Sequence, residues 1–184
     1  MAFLWAVYTC IYKRYKYLGG NAMGNNTKGL SFQAQIKGNH CFGCGGENPH
    51  GLHIQSFWAE DDTAVCHFSP QAHHCAAPTH FLNGGIIATV IDCHCICTAM
   101  ADAYRRAGRE IAEGEAIWYA TGHFSLEYLR PVSMNAEIVL KARVVDVDER
   151  NTVLECVVIA NNKTAVKAKL TAVRVPEQWM AAGG

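Results

Sequence analysis

NGGIIATVIDCHCICTAMADAYRRA, from Asn83 to Ala107, is the stretch on which the fold turns. Apolar residues between Ile86 and Met100 fall on almost every face, so periodicity is weak and length decides. A run of about twenty residues is far too long for a strand, and no Pro or Gly breaks it after Gly85. A helix that is apolar all round is a buried one. Asp92, His94 and Asp102 make this one too polar for a bilayer span. Asp92 is the odd member, because a carboxylate in mid-helix is costly to desolvate and needs a partner or a job. It either sits near an edge on an arginine or water, or it serves as a working acid.

The 184 residues suit one domain with a sizeable core, and 50% hydrophobic with 17% charged residues is a soluble globular composition. Zero formal net charge gives no argument for nucleic acid or an anionic membrane surface as partner, and none is expected. Nine cysteines do not form an even framework, and Cys93, Cys95 and Cys97 share one helix. They are read as small core residues in a reducing, cytoplasmic setting.

The first residues, MAFLWAVYTCIYKRYKYLGG, place Lys13, Arg14 and Lys16 after the apolar run, the reverse of a secretory signal. The run is too short to span a bilayer, so no stable membrane insertion is expected. Gly19 to Gly29 is a polar Gly/Asn linker. The predicted organisation is a poorly ordered extension over 1–38, one domain over 39–178 and a tail over 179–184.

His40 to His53, HCFGCGGENPHGLH, contains Cys41-x-x-Cys44 with three nearby histidines. No second CxxC exists, the histidine spacing is not that of a zinc finger, and Gly45, Gly46 and Pro49 forbid the helix that a redox CxxC needs. The segment therefore reads as a tight turn, with no metal or cofactor expected. Beyond it, HIQSFWAEDDTAVCHFSP gives two short strands about Glu60-Asp61-Asp62. Gln71 to Leu82 is a loop whose His73, His74 and His80 read as ordinary loop histidines. After Gly108 and Gly114 come four hairpin-linked strands, the first ending at Pro131 and the later ones joined through Asp148–Asn151 and Asn161-Asn162. The fold class is α+β, an antiparallel sheet of about five or six strands around one long buried helix.

Cys41-Phe42-Gly43-Cys44 with Asn48-Pro49-His50-Gly51-Leu52, then Asn83-Gly84-Gly85 with Asp92, then Tyr128-Leu129-Arg130-Pro131-Val132, stand in one order. In that order the chain resembles the hotdog-fold acyl-CoA thioesterases of the PaaI-like, 4HBT type, from about Cys41 to Val175. The resemblance implies that Gly84 offers a backbone N–H to the thioester carbonyl. It also implies that Asp92 activates water or attacks the carbonyl, and that Thr121, seven residues before Tyr128, holds the water. Asn83 stands where the family usually has His, and Ala77 where some members use Asn. Gly85, Ile87, Ile91 and Phe124 are expected to contact the acyl group, and Arg130, ahead of Lys163 and Lys167, the phosphates of coenzyme A.

Thioester hydrolysis needs a fixed donor for the developing oxyanion and a base for water. A free amide at a helix N-terminus supplies the donor, and a desolvated Asp92 the base. Asn83 also suits an N-cap, Gly84-Gly85 a packing turn, and Thr121 a plain strand residue. Gly84 and Asp92 are eight residues apart, about 12 Å along one helix. One carbonyl cannot reach both, so a homodimer, or a homotetramer of dimers, is expected with shared sites. The alternatives are a non-catalytic hotdog module that binds the thioester and a dehydratase, which usually carries a His that Asn83 displaces.

Overall fold

The computed structural model describes residues 29–176 and Gln178. The apolar N-terminal run, the linker up to Lys28 and the tail lie outside the described residues. Six strands form one antiparallel sheet: β1 (Ser56–Trp58), β2 (Ala64–Phe68), β3 (Trp118–Tyr128), β4 (Ile138–Val147), β5 (Asn151–Ala160) and β6 (Lys163–Val175). Their spatial order is β1-β2-β4-β5-β6-β3. The one long helix among the described residues, α1 (Gly84–Arg106), packs across a single face of that sheet and touches every strand. This is the hotdog arrangement that the sequence predicts.

Period-two burial makes the sheet face. Thr152, Leu154, Cys156 and Val158 of β5, and Val166, Ala168, Leu170 and Ala172 of β6, alternate inward against α1. The β5–β6 turn places Asn161 and Asn162 at φ 48° and 62°, the left-handed pair that a two-residue hairpin requires. At the β4–β5 turn the Asp148 carboxylate accepts the amides of Arg150 and Asn151 at 2.8 and 2.7 Å. The second acid of the helix, Asp102, is buried and pinned between Arg105 and Arg106 at 3.1 and 2.7 Å. Asp92 has no such partner among the described residues.

Residues 31–36, within the expected N-terminal extension, pack onto the domain. Phe32 is buried against Trp58, and Gln33 enters a buried polar chain. Gln33 Nε2 donates to Ser56 Oγ at 2.9 Å, and Ser56 Oγ lies 2.8 Å from His94 Nδ1. The Ser56 hydroxyl thus bridges Gln33 and the His94 ring, and burial pushes His94 down to about 4. This chain fastens the segment before β1 to the middle of α1. Ser56→Ala removes the shared hydroxyl and leaves two buried polar atoms without a partner. It is expected to cost about 1–3 kcal/mol in a urea unfolding measurement.

Candidate active site

Every backbone donor in the first turn of α1 can be followed. Asn83 caps the helix, its Oδ1 accepting from Gly85 N at 2.7 Å and Ile86 N at 3.4 Å. Ile87 N makes the first intrahelical bond, to Asn83 O at 3.1 Å. The Gly84 N–H alone in this turn has no acceptor among the described residues, and Gly84 is exposed. It is an open donor at the positive end of a 23-residue helix. The Gly84 carbonyl accepts from the Tyr128 hydroxyl at 2.7 Å, which fixes the end of β3 against the start of α1. Tyr128 stands in the family motif, but its bond to Gly84 has no signature in sequence. A Cβ at Gly84 would meet that ring at 3.6 Å or more, an ordinary contact. The chain's own packing therefore does not demand glycine here, whereas close approach by a ligand would.

Two turns along the helix, Asp92 is half-buried and its Oδ1 accepts from Thr121 Oγ1 at 2.5 Å. Burial pushes the carboxyl up, and the Thr121 hydroxyl pulls it partly back. The pairing depends on a β-bulge. Thr121 opposes Ala172 and His123 opposes Thr171, so Gly122 is the extra residue between them. A Cβ at Gly122 would come within 2.4 Å of Val173 Cγ2, so this bulge needs a glycine. The bulge breaks simple alternation next to Thr121, whose hydroxyl reaches the helix acid.

Other predicted contacts fall differently. Ile91 is wholly enclosed by the core and Ile87 is nearly so, so within the chain neither offers a surface to a ligand. The helical period is the reason: the residues three and four away from Asp92 are Ala88, Thr89, Cys95 and Ile96, and all of these but Cys95 are partly exposed. Gly85 is exposed on that side and Phe124 is partly buried in β3. Arg130 is exposed and donates to the Thr164 carbonyl, while Lys163 and Lys167 are exposed on β6. Of the loop histidines, His74 is buried and its Nδ1 accepts from Gln71 N at 3.0 Å, a structural role. β3 itself is an edge strand, and Thr121, Gly122, His123, Ser125 and Glu127 on it are exposed.

Residues 79–167, which hold Gly84, Asp92, Thr121 and Arg130, match the family model described as the thioesterase superfamily. The chain carries a thioesterase-superfamily domain. A thioesterase-superfamily protein from Shewanella loihica PV-4 is 29% identical, with 70% of this chain and 96% of that one covered at a TM-score of 0.55. The PaaI protein of the phenylacetic acid degradation operon of E. coli is similar in fold at 15% identity, with 68% and 81% covered and a TM-score of 0.54. A mutant thioesterase from Pseudomonas aeruginosa is similar in fold at 16% identity, with 68% and 83% covered and a TM-score of 0.53. No curated protein matches the chain in sequence. Membership of the superfamily supports thioester hydrolysis as the general class of activity.

Proposed function

We propose that the protein hydrolyses acyl-CoA thioesters at sites shared by two copies of the chain. The reading is carried by the Asp92–Thr121 pair: a half-buried carboxylate with no cation beside it, one oxygen held by a hydroxyl and the other without a bond among the described residues. A structural acid in this helix looks like Asp102, clamped by two arginines. In the proposed step the thioester oxygen accepts from the Gly84 N–H of one copy. Asp92 of the other copy takes a proton from water, whose oxygen attacks the carbonyl carbon. The tetrahedral intermediate then expels the coenzyme A sulfur, which recovers that proton from Asp92. Thr121 positions the acid through its own hydroxyl and offers its lone pairs to the water.

The two-copy requirement follows from the roughly 12 Å between Gly84 and Asp92 on one straight helix. The eleven-residue edge strand β3 supports it, because a long unpaired edge beside a functional site is a template for pairing. Arg130 and the exposed Lys163 and Lys167 are the cations available to coenzyme A phosphates.

The test is a panel of aliphatic and aromatic acyl-CoAs with free thiol release as readout, run beside the mass in solution. Monomeric protein that hydrolyses at full rate would end the shared-site reading. Thr121→Val should lower kcat by about ten- to a hundred-fold, since a positioning hydroxyl and its hydrogen bond are lost. Thr121→Ser should restore most of that loss. Equal rates for the Val and Ser variants would remove Thr121 from the mechanism.

A further inference from the structure

The Cys41-x-x-Cys44 turn lies outside the segment that matches the thioesterase family, yet the fold gives it a counterpart. Cys93 and Cys97 sit four residues apart on α1, hence on one helical face, and that face meets the turn. Cys41 Sγ is 3.5 Å from Cys93 Sγ, and Cys44 Sγ is 3.9 Å from Cys97 Sγ. The sulfurs of Cys41, Cys44 and Cys93 all lie within 4.8 Å of one another, and Cys97, outside that set, joins it through Cys44. A tetrahedral tetrathiolate with metal–sulfur bonds of about 2.3 Å has sulfur–sulfur edges of about 3.8 Å. The spacings C-x2-C and C-x3-C both fall within the range used by structural zinc sites.

The surroundings are shaped for this cluster. A Cβ at Gly43 would lie 2.3 Å from Cys93 Sγ, so only glycine lets the turn close on the helix. At Gly45 a Cβ would lie 2.4 Å from Cys41 N, so the knuckle cannot tighten around any larger residue. Gly45 N donates to Cys41 O at 2.8 Å, and the Asn39 amide donates to Cys44 Sγ at 3.6 Å. Cys44, Cys93 and Cys97 are buried and Cys41 is exposed, which leaves the cluster one side of entry.

We infer that Cys41, Cys44, Cys93 and Cys97 bind one zinc ion as a structural tetrathiolate site that clamps the knuckle onto the helix carrying Asp92. Binding releases the four thiol protons to solvent, and the ion bonds to four thiolates with no change in oxidation state. The ion would hold residues 39–54 against the helix in a region where Gly43 abuts Thr89 as well as Cys93. This site stands apart from any role of Asp92 in hydrolysis, and its test needs no substrate.

Full-length untagged protein, purified under reducing conditions without chelator, should contain about one zinc per chain by mass spectrometry of the metal. Mercurial titration should release that zinc as the thiols are modified, and cobalt exchange should give the intense visible bands of a tetrahedral thiolate site. Cys97→Ser and Cys41→Ser should each lower zinc affinity at least ten-fold, while Cys75→Ser, away from the cluster, should keep the metal. Zinc below about a tenth of an equivalent with all thiols free would overturn the assignment. So would a Cys41–Cys93 disulfide in protein handled anaerobically, iron in place of zinc, or full zinc in both cluster variants. If the serine variants fail to fold, metal content and the cobalt spectrum of the wild-type protein decide the matter alone.

Discussion

Asp92→Asn should lower kcat for acyl-CoA hydrolysis by about 10²–10⁴-fold while leaving KM within a few-fold, the signature of a lost general base. The amide has the size of the carboxylate, and its oxygen can still accept from Thr121 Oγ1, so the Asp92–Thr121 contact and the Gly122 bulge are retained. Only the ability to take a proton from water is removed. The variant should unfold at the same denaturant concentration as wild type or a slightly higher one, because a desolvated charge has become neutral. Steady-state rates on the best substrate, with parallel unfolding curves, check both halves. Two results would end the assignment. One is an Asn variant that hydrolyses as fast as wild type. The other is a wild type that binds the thioester without releasing thiol, which would favour the non-catalytic module.

The sequence shows the helix and the strands because both rest on local chemistry. An uninterrupted run after Asn83-Gly84-Gly85, and hairpins marked by Asp148 and by Asn161-Asn162, need no tertiary information. Thr121 is a candidate only through the family resemblance, because a bulge at Gly122 is invisible to a period-two reading. Ile87 and Ile91 entered the expected pocket for a related reason. When apolar residues cover a helix all round, the sequence does not say which stripe shares a face with Asp92, and the fold gives that stripe to Ala88, Thr89 and Ile96. The Cys41-x-x-Cys44 turn has no partner in sequence, where a second CxxC is absent. Cys93 and Cys97 answer it from a helix, where four residues make one turn, and about fifty residues of chain separate the two pairs. Residues 31–36 carry no such local mark, because Gln33 and its acceptor Ser56 are brought together only by the fold.

Two individually inactive variants should restore activity to each other. Gly84→Ala keeps the amide but puts a methyl where the thioester must approach, and Tyr128 at 3.6 Å leaves the chain room for it. That variant should lose about 10²–10³-fold in kcat, comparable to removing an oxyanion donor. Each chain of a shared-site dimer gives Gly84 to one site and Asp92 to the other. In a mixed dimer of Gly84→Ala and Asp92→Asn chains, one site therefore receives both lesions and the other receives neither. Random pairing makes half the dimers mixed, so co-expressed and purified mixtures should recover about a quarter of wild-type activity. The recovery should track the mixed species when the two chains carry different tags, and each parent alone should stay near its own residual rate. If one chain supplied both groups to its own site, every chain in the mixture would carry a lesion and no pairing could rescue the rate. A mixture no faster than the mean of its parents, despite mixed dimers shown by double-tag capture, would thus sink the shared site even with Asp92 established as the base.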